Sequence, residues 1–224
     1  MNTKTKTNGI ATETGLGVKV GVSQGANAVL EAYPPYEVLV EVTGTADLLF
    51  NRFNEEEYTE KKNARKGSKE KSLDVPENRV YRDMDGNVCL PGLYLCNSLV
   101  AAAKFYQDPR SPRKSAMDLF KAGVFPVTDL CPVVSSCGET CQEGWDFLDK
   151  RGATVQRARI VRARPAFFKG WKAEVQLAVQ APEYIQPDWL HEILIYAGRM
   201  VGVGDFRPTY GRFQVTRYEV LGGE

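Results

Sequence analysis

The sequence predicts an α+β fold in which two helices cover one face of a sheet, and three features of the 224-residue chain point to it. Four strand-like runs, Tyr36–Thr43, Thr154–Arg164, Trp171–Ala181 and Phe213–Val220, alternate with two segments whose apolar residues recur every three or four positions. The composition, 43% hydrophobic and 25% charged, is that of a folded domain. The length suffices for one sizeable core.

Residues 1–34, rich in Thr, Gly, Asn and Lys, read as a loosely held N-terminal segment with one short strand at Gly17–Val22. The domain proper spans 35–224, with insertions at about 54–78 and 128–150. Its first strand alternates Val38, Val40 and Val42 against Glu37 and Glu41. Glu55 to Lys71 follows, dense in charge, as a solvated helix or loop whose Lys61, Lys62, Arg65, Lys66, Lys69 and Lys71 form a basic cluster. Asp85-Gly86 between two short extended runs predicts a β-hairpin. Pro91-Gly92 then leads into a helix carrying Leu95, Leu99, Ala102 or Ala103, and Tyr106.

A short helical piece at Ser115–Lys121 and a strand at Gly123–Val127 come next. Thr154–Arg164 and Trp171–Ala181 are expected to pair, joined around Phe168-Lys169-Gly170. The clearest helix starts after Pro187, with Leu190, Ile193, Leu194, Ala197 and Val201 in one stripe and Gly202 at its exit. Phe213–Val220 closes the chain. Stripped of insertions the order is β-α-β-β-α-β, the ferredoxin-like arrangement that RNA-recognition modules share.

Several classes are disfavoured. No apolar run approaches the roughly 18 residues of a membrane span, and the N-terminal lysines have no apolar stretch behind them, so a cytoplasmic location is expected. Five cysteines without a secretory signal do not read as a disulfide framework. With one histidine, His191, and no nucleophile or paired-carboxylate motif, no catalytic constellation is legible and no catalytic role is assigned.

Charge distribution says more than net charge, which is only +1. Between Lys150 and Lys172 stand eight basic residues, Lys150, Arg151, Arg157, Arg159, Arg162, Arg164, Lys169 and Lys172, and no acidic one. Such a run is the footprint of a polyanion partner. Phe167, Phe168 and Trp171 lie among these charges and suit stacking on unpaired bases, with core packing the other use of such rings. Strand alternation puts Arg157 and Arg159 on one parity and Arg162 and Arg164 on the other, so a shared face requires a bulge near Ile160-Val161.

The segment from Gly202 to Phe213 holds Gly202, Gly204 and Gly211 beside Arg207 and Arg212. Glycines let backbone amides approach phosphate oxygens, and arginine forks bind them; a tight helix-to-strand connection needs the same glycines. Cys131-x5-Cys137-x3-Cys141 lies in a Ser/Gly/Pro-containing insert; three thiolates with a fourth ligand from elsewhere would bind zinc, the one cofactor the sequence leaves open, although no Cys-x2-Cys pair is present.

Leu90-Pro91-Gly92-Leu93-Tyr94-Leu95 ahead of the first helix, and Pro208-Thr209-Tyr210-Gly211-Arg212-Phe213 before the last strand, resemble the RAMP superfamily. Those ferredoxin-like proteins form backbone and RNA-processing subunits of CRISPR effector complexes, and Thr209 stands where that family often has glycine. The chain also resembles uncharacterised phage and prophage proteins. The resemblance implies a subunit that binds single-stranded RNA or DNA and assembles as repeated copies or within a multi-subunit ribonucleoprotein. The alternative is a phage structural or host-defence-interacting protein that binds no nucleic acid.

Overall fold

The computed structural model describes residues 34–63, 75–137, 144–155 and 158–221, all within the unit Tyr33–Glu224. The strand expected at Gly17–Val22 lies outside them. The first strand, β1 (Tyr36–Gly44), buries Tyr36, Val38, Val40 and Val42 and leaves Glu37, Leu39, Glu41 and Thr43 on the other face, so the alternation in the sequence is the alternation of the pleat. A short strand β2 (Leu48–Leu49) follows, then helix α1 (Glu55–Asn63). Asn54 Oδ1 caps α1 by accepting from Glu57 N at 3.1 Å, and Glu55, Glu56 and Glu57 in its first turn suit the helix dipole. The Glu55–Lys71 run is therefore helical in its first half; Arg65, Lys66, Lys69 and Lys71 lie outside the described residues.

Strands β3 (Tyr81–Arg82) and β4 (Val88–Pro91) form the hairpin expected around Asp85-Gly86, with Gly86 at φ 84°. Helix α2 (Gly92–Ala103) buries Leu95, Leu99, Ala102 and Ala103. A β-hairpin of β5 (Gln107–Asp108) and β6 (Ser111–Ser115) leads to the short helix α3 (Met117–Gly123) and strand β7 (Val124–Pro126). Strand β8 (Leu130–Pro132) pairs with β4. Then come β9 (Phe147–Val155), β10 (Ala158–Phe167), β11 (Lys172–Val179), helix α4 (Pro187–Met200) and β12 (Phe213–Leu221).

The fold is thus mixed α+β with antiparallel sheets. The main sheet has the order β12-β1-β11-β7, every neighbour antiparallel. Helix α4 buries Leu190, Ile193, Leu194 and Ala197, which form one core with Leu95 and Leu99 of α2 and Val38, Val40, Val175 and Leu177 of the sheet. Each fully buried Val, Leu or Ile among these contributes about 1.5–3 kcal/mol. Gly198 lets α4 press on β12, since a Cβ there would meet Phe213 Cδ2 at 2.9 Å.

A second sheet, β2-β10-β9, departs from the expected pairing. Thr154–Arg164 does not pair with Trp171–Ala181: β10 pairs with β9, and β11 joins the main sheet between β1 and β7. The physical reason is local. β9 and β10 are adjacent in the chain, so closing their hairpin loses little chain entropy. Gly170, at φ 93°, then turns the backbone toward the main sheet and donates its N–H to Gly44 O at 2.8 Å. Trp171, fully buried, fills the corner and donates Nε1–H to Ala46 O at 2.9 Å. The β9–β10 register runs unshifted from Ala158↔Val155 to Ala166↔Phe147, so the bulge that would align all four arginines is absent. No helix among the described residues is long and apolar enough to cross a membrane.

Candidate nucleic-acid interface

The glycine-rich connection from α4 to β12 lies against β2 and the β9–β10 hairpin. Asp205 N donates to Leu49 O at 2.9 Å, Gly211 N to Asp47 O at 2.8 Å, and Val203 N to Gly211 O at 2.9 Å. Gly202, Gly204 and Gly211 take φ values of 75°, 77° and 69°. A Cβ at Gly204 would meet Leu49 O at 2.6 Å, and one at Gly211 would overlap Val203 O. These glycines are dictated by close backbone packing, and the Gly202 and Gly211 amides are spent on protein carbonyls.

The amides of Gly204, Phe206 and Arg207 are different: they find no acceptor among the described residues. Phe206 holds φ at 55°, uncommon for a residue with a side chain. Beside it a polar pocket of about 200 Å³ is lined by Gly204 and Arg207 and by Tyr94 and Asn97 from the start of α2. No side chain caps α2, because its N-cap residue is Pro91. Arg207 is exposed and makes no ion pair among the described residues. Burial pushes the Tyr94 phenol up, with Tyr81, 3.4 Å from it, adding to the shift. The phenol therefore stays protonated and can donate a hydrogen bond.

The basic run separates into three groups. Arg164 is 4% exposed and donates Nε–H to Asp205 Oδ2 at 2.6 Å, with its guanidinium 4.3 Å from the Phe206 ring centroid. Arg151 donates to Asp149 Oδ1 at 2.7 Å and stacks 4.5 Å from the Tyr210 ring. These two arginines fasten the hairpin to the glycine-rich connection. Lys172 sits apart on the open face of the main sheet, 4.0 Å from Glu41. Lys150, Lys169 and Arg212 are exposed, and Arg162 donates to Asn51 Oδ1 at 3.4 Å. Arg212 Nε donates to Pro208 O at 2.7 Å, leaving its charge facing water. Arg157 and the Arg159 side chain lie outside the described part of the structure.

Of the three aromatics, Phe167 and Trp171 are core residues, whereas Phe168 is 43% exposed and stacks on Phe147 at 4.5 Å. Phe53, Leu93 and Phe206 are also exposed, and Arg52 lies 5.1 Å over the Tyr81 ring. The sequence reading missed Tyr94, Asn97, Arg52 and Tyr81, since no local motif marks residues that only the fold brings together. The open face of the main sheet, by contrast, presents Glu37, Glu41 and Glu174 on its two inner strands and no aromatic ring there. Carboxylates there repel phosphates.

Cys131, on β8 beside β4, is fully buried, its thiol pushed up to about 12 by burial, while Cys137 is exposed. Cys141 lies outside the described residues, and among those described no cluster is arranged to hold a metal. His191 stacks on Tyr218 at 4.6 Å.

No protein-family model matches the chain, and no curated protein matches it. Among solved structures, one similar chain belongs to Type III-B Cmr-beta bound to cognate target RNA, at 12% identity and a TM-score of 0.41, covering 88% of this chain and 64% of that one. Another is Cmr6 from Pyrococcus furiosus, at 9% identity and a TM-score of 0.42, covering 82% of this chain and 98% of that one. The chain thus spans 64% of the length of the Cmr-beta chain.

Proposed function

We propose that the chain binds single-stranded nucleic acid along the surface formed by the β9–β10 hairpin, the glycine-rich connection and the start of α2. One observation carries this reading. The Gly204, Phe206 and Arg207 amides and the Arg207 guanidinium, with no acceptor or ion pair among the described residues, gather at one polar pocket lined by Gly204, Arg207, Tyr94 and Asn97, and the rings of Phe206, next to Arg207, and of Phe53 are exposed. Amides and guanidinium groups suit phosphate, and exposed rings suit unstacked bases. Arg162, Lys150 and Lys169 extend the positive surface along the hairpin. Binding of this kind is sequence-tolerant and weakens with salt.

The finer reading is a RAMP-like subunit with a ferredoxin-like core, placed in repeated copies along a strand within a ribonucleoprotein. Its support is the strand order β12-β1-β11-β7 with α2 and α4 as the two crossover helices, together with the Pro91-Gly92 and Tyr210-Gly211-Arg212 motifs. Ultraviolet cross-linking to a photoreactive single strand, followed by peptide mapping, tests the location. Cross-links at Phe53, Phe206 or Phe168 are expected. Cross-links confined to the open sheet face around Leu39 and Gln176 would place the strand elsewhere and overturn the reading.

A further inference from the structure

At the far ends of the same two helices lies a second, unrelated slot. Tyr106 after α2, Trp189 in the first turn of α4, and Tyr184 before it enclose a cavity of about 340 Å³, edged by Gln107, Gln186 and Pro109. The Tyr106 and Trp189 rings meet edge-on with centroids 6.5 Å apart, and Phe120 holds Trp189 from below at 5.1 Å. Tyr184 is 41% exposed, with the Arg110 guanidinium 5.8 Å from its ring. The twelve residues of α2 separate this slot from the glycine-rich connection by about 18 Å at 1.5 Å per residue.

We propose that this slot binds a nucleobase, with the attached phosphate directed to the β5–β6 hairpin. The walls are aromatic faces, which stack on any base. The edges are amides: Gln107 Nε2 donates to Pro112 O and Gln186 Nε2 to Pro182 O, and each side chain keeps a carbonyl oxygen and a second N–H for the polar edge of a base. Phosphate has one favourable direction. Arg113 and Lys114 on β6 are exposed with no ion pair among the described residues, beside Arg110, which is fixed by Asp108 at 2.7 Å. On α4, Asp188 and Glu192 are exposed, and the Glu192 carboxylate is close enough to the Tyr106 phenol to add to the upward shift that burial gives it. The carboxylates repel phosphate toward the cations. A proline-rich peptide, the other ligand that aromatic slots accept, would leave the amide carbonyls and the cations without partners.

The base comes from a free nucleotide or from a strand, and the test separates them. Trp145 and Trp171 are 6% and 0% exposed, so quenching of tryptophan emission by a soluble ligand reports on Trp189. The full chain is titrated with AMP, GMP, CMP and UMP, then with short single-stranded oligonucleotides, then with a proline-rich peptide. Saturable quenching is expected with nucleotides or oligonucleotides, weakened about tenfold by Tyr184→Ala, the scale of one lost base–aromatic stack, and restored by Tyr184→Phe. Quenching by mononucleotides assigns a free nucleotide; quenching by oligonucleotides alone assigns a strand. Arg162→Ala/Arg207→Ala leaves the mononucleotide signal unchanged, so failure of the interface proposed above is distinguishable from failure here. No quenching by any nucleotide or oligonucleotide, quenching indifferent to Tyr184→Ala, or quenching by the peptide alone overturns the proposal.

Discussion

Arg164 on β10 donates its Nε–H to Asp205 at 2.6 Å across 41 residues of sequence, and this bond fixes the glycine-rich connection to the hairpin. Arg164 is buried while the Asp205 side chain is 29% exposed. A fully buried pair costs about 3–5 kcal/mol to break; contact of Asp205 with water lowers the expected cost of Arg164→Ala to about 2–3 kcal/mol by the same principle. Chemical denaturation of Arg164→Ala, Asp205→Ala and the double variant measures it. The two effects are expected to be strongly non-additive, and additive losses would mean that the bond does not couple the two elements.

The glycines of the connection are expected to differ from a turn glycine. Gly86 has φ 84° and open space around it, so Gly86→Ala carries only the left-handed backbone cost of about 1–2 kcal/mol. Gly211→Ala adds an overlap with Val203 O and is expected to cost clearly more. Thermal melts of the two variants compare them directly. Equal losses would show that the connection relaxes freely.

Thiol reactivity follows burial. Cys89, Cys96 and Cys131 are buried, with thiols pushed up to about 11, 12 and 12 by desolvation, whereas Cys137 is exposed. Native-state alkylation with peptide mapping is expected to modify Cys137 and spare those three until the protein unfolds. Rapid native modification of Cys131 would contradict the buried position.

Acid is expected to loosen the β5–β6 hairpin. The Arg110 guanidinium, with hydrogen bonds to Asp108, holds the Asp108 carboxyl below the ordinary carboxylate range. A folded pKa below the unfolded one stabilises the protein above the unfolded value, about 3.9, and that contribution is lost as pH falls through the folded value. Melting temperature measured from pH 7 to pH 3 is expected to fall less steeply in Asp108→Asn than in the unsubstituted protein. Identical slopes would show that the pair carries no such linkage.

Much of the fold was legible because periodicity is local. The alternation of Val38, Val40 and Val42, the stripe of Leu190, Ile193, Leu194 and Ala197, and the Asp85-Gly86 turn each appear in the structure where the sequence places them. Pairing of Thr154–Arg164 was not legible, because β9 begins inside a segment read as an insertion and its partner is set by chain proximity. The candidate interface was half legible. A run of like charges marks a surface, but only the fold reveals that Arg164 and Arg151 are struts and that Lys172 faces Glu41. Tyr94 and Asn97 reach the pocket from a helix more than one hundred residues before Gly204, and no spacing rule connects them.

The most direct test of single-strand binding is fluorescence anisotropy with single-stranded RNA, single-stranded DNA and duplex DNA over a salt series. It compares the unsubstituted chain with Arg162→Ala/Arg207→Ala and with Lys172→Ala. Tight single-strand binding is expected, with the double variant weaker and the slope of log affinity against log salt reduced by about 0.7 for each phosphate contact removed. Lys172→Ala is expected to bind as the unsubstituted chain does. No binding at low salt, or equal loss in Lys172→Ala and Arg162→Ala/Arg207→Ala, would contradict the proposed interface.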